Sequence, residues 1–300
     1  MALVPYDDRD GFIWMDGKLV PWRDAKVHFL THGLHYGSGV FEGVRAYNGN
    51  IFKLNEHSQR LLDGCATMDM KITWTLEQIN QACIDAMKAN NLTDAYLRPL
   101  AWRGSEQMGV TAQQSKIHLA VAAWDWPSYF TGEAREKGIS IKTSHWRRPS
   151  PDCAPVHAKA AGLYMICTMS KHEAENHGYT DALMLDYRGR VAELTGANFF
   201  MIIRGEVHTP VADCFLNGIT RQTVMDIIRS KGIKLHERSI MPEELEAAEE
   251  CFATGTAAEI TPIGKIDDKS YTVGPITRMI REEYEKLVRQ PSSAQQKKAG

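Results

Sequence analysis

The chain has 300 residues, a formal net charge of −2, and acids and bases mixed along its length. That balance excludes the basic face of a nucleic-acid or membrane-surface protein, and no apolar run approaches the ~20 residues of a membrane span. The acidic start, Met1-Ala-Leu-Val-Pro-Tyr-Asp-Asp, is not patterned as a secretory signal, and six cysteines without a C-x-x-C pair read as small buried residues of a cytoplasmic protein.

In chain order, the first half alternates hairpins and helices. Asp16-Gly17 and Asn48-Gly49 each separate two apolar runs and predict type I′ turns, which need positive φ at both central residues. Thr75 with Gln78 three residues on predicts a capping box. It opens a helix whose buried stripe is Leu76, Ile79, Cys83, Ala86 and Met87. "AYLRPLAWRG" and "SKIHLAVAAWDW" read as strands. The aromatic, Pro- and Gly-punctuated stretch 124–132 marks a domain boundary, either as packing between domains or as a loop closing over a pocket.

The second half opens with the strand "GISIKTSHW", then the segment "PVHAKAAGLY", then a helix through about residue 176. A meander follows, with turns at Arg188-Gly189 and Arg204-Gly205. A helix over 219–231 is stopped by Gly232 at C′. Pro242 and Pro275 each suit the first position of a helix. The last helix would bury Ile276, Met279, Ile280, Tyr284 and Leu287. The polar tail 291–300 reads as disordered. Strands arriving mostly as hairpins favour an α+β fold over a doubly wound parallel sheet.

Among residues that could do chemistry, Lys159 lies among Ala158, Ala160, Ala161 and Gly162. Most lysines are solvated surface groups. One surrounded by small residues can hold a free amine against something bulky, as a Schiff base requires. Glu193 interrupts an apolar strand, so it either faces outward or meets a charge or donor, such as a protonated ring nitrogen. Gly218-Ile219-Thr220 opens a helix, and Thr254-Gly255-Thr256-Ala257 leads from a short strand towards a helical turn. Either could be simple capping, but two such loops suit two anionic groups. No G-x-G-x-x-G, P-loop or H-E-x-x-H motif is present, and His32 with His35 lacks a third ligand nearby, so no metal is expected. A lysine imine, an acid for a ring nitrogen and helix-held phosphate together describe pyridoxal 5′-phosphate chemistry.

The segments "HGLHYGSGVFEGVRAY" (32–47), "NEHSQRLLDGC" (55–65), "AYLRP" (95–99), "AKAAGLY" (158–164), "AELTGANFF" (192–200), "NGITRQ" (217–222) and "TGTAAEITP" (254–262) resemble, in order, those of the branched-chain amino-acid aminotransferases, fold-type IV enzymes dependent on pyridoxal phosphate. The resemblance implies two domains: a small α/β domain over 1–126, an interdomain loop over 127–136, and a large, barrel-like cofactor-binding domain with flanking helices over 137–290. It implies transamination of Leu, Ile and Val with 2-oxoglutarate, Lys159 forming the Schiff base and moving the proton. Glu193 would bind the ring nitrogen, and Tyr164 the phenolic oxygen. Arg60, Ile219, Thr220 and Thr256 would hold the phosphate, with Gly196, Asn198, Gly218 and Gly255 also at the cofactor. Tyr36, Arg98 and the N–H groups of Thr256 and Ala257 would take the substrate carboxylate. Phe41, Tyr164, Trp126, Tyr129, Met108 and Val110 would line an apolar pocket, with Gly43, Arg45 and Tyr96 at the substrate. At least a homodimer is implied, with a hexamer compatible. A D-amino-acid aminotransferase, an aminodeoxychorismate lyase or a non-enzymatic binding protein on this scaffold are the rival readings, and "FEGVRAY" and "YLRP" argue against the first two.

Overall fold

The computed structural model describes residues 4–126 and 132–290, which form two compact units. The first runs to residue 126 and includes Ala158–Gly162; the second holds 132–157 and Leu163–Gln290. No helix among the described residues is long and apolar enough to cross a membrane.

The first unit is an antiparallel sheet backed by helices. Its elements are β1 (Phe12–Met15), β2 (Lys18–Pro21), α1 (His32–Tyr36), β3 (Gly39–Phe41), β4 (Val44–Tyr47), β5 (Asn50–Ile51), α2 (Leu54–Thr67), α3 (Leu76–Ala89), β6 (Ala95–Arg103) and β7 (Ile117–Asp125). The strand order is β2-β1-β7-β6-β4-β5, with β3 also on β6. Both hairpin turns form with positive φ, 47° and 92° at Asp16-Gly17 and 50° and 81° at Asn48-Gly49. The Thr75–Gln78 capping box starts α3. Leu61 and Cys65 of α2 and Ile79, Cys83 and Ala86 of α3 bury against Leu97, Ala101, Leu119, Val121 and Ala123 of the sheet. Strand side chains alternate between faces, so Ile13, Met15, Arg98, Leu100, Trp102, Ala120 and Ala122 fall on the other side, where they line an apolar cleft of about 380 Å³. Pro99 sits mid-strand in β6, where its missing N–H would normally break a ladder. It lies opposite the gap between β3 and β4, where its carbonyl accepts from the Glu42 N–H at 2.8 Å.

The second unit contains α4 (Glu133–Lys137), β8 (Ile139–Arg148), α5 (Tyr164–Asn176), β9 (Asp181–Asp186), β10 (Val191–Leu194), β11 (Asn198–Ile203), β12 (Glu206–Pro210), α6 (Ile219–Ser230), β13 (Leu235–Arg238), β14 (Glu250–Gly255), β15 (Glu259–Ile266), β16 (Lys269–Ser270) and α7 (Pro275–Val288). Its sheet follows β10-β9-β8-β15-β14-β11-β12-β13. Because β10 also pairs with β11, six of these strands close into a ring, the expected barrel-like domain. Ile141, Leu183, Leu194, Phe199, Met201, Cys251 and Ile263 form its core. Gly232, at φ 70°, stops α6. Two local expectations are corrected. Pro242 opens a short 3₁₀ turn, Pro242–Ala247, rather than an α-helix. In α7, Val288 is buried where Leu287 was expected, and Leu287 is exposed. Five cysteines are buried free thiols, whereas Cys153 is exposed.

Candidate active site

In the first unit, the lysine segment is held as a short strand against β3. Val40 and Ala160 form an antiparallel bridge, and the Phe41 N–H donates to the Lys159 carbonyl at 3.1 Å. This backbone attachment brings the Lys159 ammonium to 4.9 Å from the centre of the Phe41 ring. The Arg98 guanidinium lies at the same distance from that ring, and its Nη2 donates to the Tyr96 hydroxyl at 3.0 Å. Tyr96 packs at 5.1 Å from both Trp124 and Trp126, and it pairs across the ladder with Arg45. Gly43 is required here: a Cβ on it would lie 2.0 Å from the Tyr96 oxygen. Phe41, Gly43, Arg45, Tyr96, Arg98, Trp126 and Lys159 therefore form one neighbourhood.

Arg60 joins it through a group that reading the sequence missed. Arg60 Nε and Nη2 donate to Glu42 Oε1 and Oε2 at 2.7 and 2.8 Å. His57 Nδ1 meets Glu42 Oε2 at 2.7 Å. Burial alone would raise the Glu42 pKa, but Arg60 and His57 outweigh it and hold the carboxyl at about 2. Burial lowers the His57 pKa, against the pull of Glu42 and with help from Arg60 and Lys159. The imidazole is thus neutral at neutral pH and donates to Glu42.

Tyr36, Met108 and Val110 form a separate exposed group, Val110 being 85% exposed. His32 links them: its Nε2 reaches the Gly109 carbonyl at 2.9 Å and its Nδ1 reaches Ser38 Oγ at 2.6 Å, while its ring lies 4.6 Å from that of Tyr36. Tyr129, and residues 127–131 of the expected interdomain loop, lie outside the described residues, as does the tail 291–300.

In the second unit, Glu193 does not face outward. It is 8% exposed, with Arg148 Nε 3.4 Å from Oε1 and Asn198 Nδ2 donating to Oε2 at 3.2 Å. Burial works against the charge of Arg148, but Glu193 leads the neighbours that raise its pKa. Arg148 Nη1 also reaches Cys167 Sγ on α5, whose first residue is Tyr164. Asn198 carries the site onward: its Nδ2 donates to the Leu216 carbonyl at 3.0 Å, and its Oδ1 lies where a Cβ on Gly218 would be, 2.2 Å away. Gly218 caps α6 without a side-chain hydrogen bond, so the first N–H groups of that helix, at Ile219 and Thr220, are not claimed by a capping side chain. The fully buried Arg221 fixes the preceding turn through Asn217 Oδ1, the Pro210 carbonyl and Glu237. Thr256 and Ala257 lie in the tight turn joining β14 to β15, so the expected helical turn is corrected to a hairpin. Gly255 closes on the 196–197 loop, a Cβ there lying 3.3 Å from the Gly196 carbonyl.

Each unit carries donors of the kinds a phosphorylated pyridine aldehyde requires: in the first an amine and an arginine, in the second a buried carboxylate backed by a guanidinium and a helix N-terminus suited to phosphate. Residues 39–266 match the family described as amino-transferase class IV. The chain belongs to this family. A branched-chain-amino-acid aminotransferase of Pseudomonas aeruginosa is 44% identical to the present aminotransferase over 288 residues, 94% of each chain. The crystal structure of the branched-chain aminotransferase of Thermoproteus uzoniensis with norvaline superposes with a TM-score of 0.89 at 39% identity, covering 93% of this chain and 94% of that one. The branched-chain amino acid aminotransferase of Thermobaculum terrenum, solved in its PLP-form, gives 0.85 at 31% identity, covering 93% and 94%. In this class IV aminotransferase the Lys159–Phe41 and Glu193–Asn198 contacts lie within units that each fold around their own core.

Proposed function

We propose that the chain transfers the amino group of L-leucine, L-isoleucine or L-valine to 2-oxoglutarate with pyridoxal 5′-phosphate. The single observation that carries this reading is Lys159, pinned through its backbone to β3 with its amine over Phe41. The chemistry supplied when pyridoxal phosphate is bound is an aldehyde for the amino group and a protonated ring that withdraws electrons from the substrate Cα–H bond.

The protein's part is attachment, orientation and proton movement. Lys159 Nζ would anchor the cofactor and, as a free amine, would carry the proton from the substrate Cα. Glu193, held by Arg148 and Asn198, would face the ring nitrogen and favour its protonated form. Arg60, the N–H groups of Ile219 and Thr220, and Thr256 hold the phosphate; Gly196, Gly218 and Gly255 let backbone approach it. Tyr164 donates to the phenolic oxygen. Tyr36, Arg98 and the N–H groups of Thr256 and Ala257 take the substrate carboxylate, with Arg45 and Tyr96 supporting Arg98 and Gly43 making room for Tyr96. Phe41, Tyr164, Trp126, Met108 and Val110 surround the aliphatic side chain. One methylene is worth about 1–3 kcal/mol in such a pocket, so several aliphatic substrates should turn over.

The exposed Tyr36–Met108–Val110 group completes the pocket of a second copy, giving a homodimer or a multiple of one. The support is the apolar cleft, whose lining residues Val27 and Leu34 are exposed, since exposed apolar clusters mark interaction surfaces. A cytoplasmic location belongs to the same reading and rests on five buried free thiols. Borohydride reduction followed by peptide mapping, with a panel of L-leucine, L-valine, D-alanine and L-phenylalanine as donors, tests the proposal. A label on Lys159 and turnover of the branched donors are expected; a label elsewhere, or no turnover of L-leucine, would overturn it.

A further inference from the structure

Glu42 and His57 are two of the most deeply buried polar residues of the first unit, and neither is among the expected site residues. Their side chains are 1% and 3% exposed, against 17% for Arg60, so Arg60 is the only member of the three that reaches towards the surface. Burying an ion pair is weak evidence for stability, since an apolar replacement of equal volume often does as well. Retaining one calls for a role in orientation. The geometry provides it. Glu42 accepts three hydrogen bonds, two from one edge of the Arg60 guanidinium and one from His57. Two parallel N–H···O bonds fix the plane of a guanidinium as well as its position. His57 and Arg60 lie three residues apart on α2, on one face of the helix, so the imidazole braces the carboxylate from the turn before.

The backbone adds a second link. Glu42 follows Phe41, whose N–H donates to the Lys159 carbonyl and whose ring meets the lysine amine. Its own N–H is fixed by the Pro99 carbonyl. The dipeptide Phe41-Glu42 thus holds the lysine with one residue and the arginine with the next. We infer that Glu42, braced by His57, is a positioning residue that sets the Arg60 guanidinium relative to Lys159, and so fixes the separation between the covalent anchor and the phosphate contact. The inference rests on the reading of Arg60 as a phosphate ligand.

The test uses apoenzyme of the full chain, titrated with pyridoxal phosphate, and the ³¹P resonance of the bound cofactor. Glu42→Gln, Arg60→Lys and the double variant are compared with the parent. Glu42→Gln keeps the shape but offers an amide N–H to a guanidinium donor. It should weaken cofactor binding roughly ten-fold or more, as loss of charge-assisted bonds to an ion does, and shift or broaden the ³¹P line. In the Arg60→Lys background the same change should have little further effect, because the group it orients is gone. Equal losses in both backgrounds, or binding and ³¹P signal unchanged in Glu42→Gln while Arg60→Lys is weakened, would overturn the positioning role and leave Arg60 as the phosphate ligand. Unchanged binding in Arg60→Lys would sink the Arg60 reading, and this inference with it. If Glu42→Gln does not fold, Glu42→Asp decides. It keeps the charge but shortens the reach, so it should weaken binding and move the ³¹P line; parent-like values for both would overturn the role.

Discussion

Replacing Gly43 with alanine would place a methyl carbon 2.0 Å from the Tyr96 oxygen and 2.8 Å from its ring carbon Cζ. Ordinary contact begins near 3.4 Å, so the phenol would have to retreat by about 1.4 Å, the difference between 3.4 and 2.0 Å. Tyr96 is buried between Trp124 and Trp126, which leaves it little room. Overpacking of this kind costs about 1–3 kcal/mol. Displacing the hydroxyl from Arg98 forfeits a charge-assisted bond worth about 1.5–3 kcal/mol. Partial relaxation shares these losses, so about 3 kcal/mol is expected, a fall in Tm of roughly 6–12 °C at about 2–4 °C per kcal/mol. Calorimetry of the holoenzyme measures the stability term. Steady-state kinetics with L-leucine measures the other, because a loosened Arg98 should raise KM more than it lowers kcat. A Tm within a degree of the parent, with KM unchanged, would refute the placement of Tyr96 against Gly43 and with it the chain from Gly43 to Arg98.

Lys159→Ala should lose at least ~10²-fold in transamination while retaining the parent's circular dichroism spectrum; normal turnover would show that another group moves the proton. The Glu42 carboxyl is depressed from 4.5 to about 2 in the folded chain, so the unfolded chain takes up its proton first. Its contribution to stability is therefore complete above pH 4.5 and is lost as pH falls towards 2. The depressed His57 pKa adds a loss of the same sign below pH 6.5. Urea midpoints across the acid range should fall less steeply in Glu42→Gln, and parallel curves would contradict the assignment. Thr75→Ala removes the hydroxyl that accepts from the Gln78 N–H and leaves the return bond from the backbone N–H of residue 75 to Gln78; it should cost about 1 kcal/mol, read from the urea midpoint with activity unchanged. On the proposed homodimer, Leu34→Asp should halve the mass seen by light scattering, and an unchanged mass would overturn the assignment of this face to a subunit contact.

Local chemistry was the legible part of the fold. Asp-Gly and Asn-Gly turns, the Thr75–Gln78 box and the stop at Gly232 depend on residues close in sequence, and each formed where expected. The Thr256-Ala257 turn did not read correctly, because small residues and threonine suit a hairpin as well as a helical turn. The lysine and Glu193 stood out by their neighbours. Their partners did not, since the contacts are long-range: Phe41 meets Lys159 from 118 positions away, and Arg148 meets Glu193 from 45. Glu42 gave one hint, a charge between apolar strands, and only its 2.7–2.8 Å contacts to α2 show what it meets.

The assignment of Ala158–Gly162 to the first unit, with both flanks in the second, means that the polypeptide passes from one body to the other between residues 126 and 132 and again at 157/158 and 162/163. A gene fragment ending at residue 126 would encode most of the first body yet omit the segment that carries Lys159, so the two halves of this enzyme are not exchangeable as simple head and tail pieces.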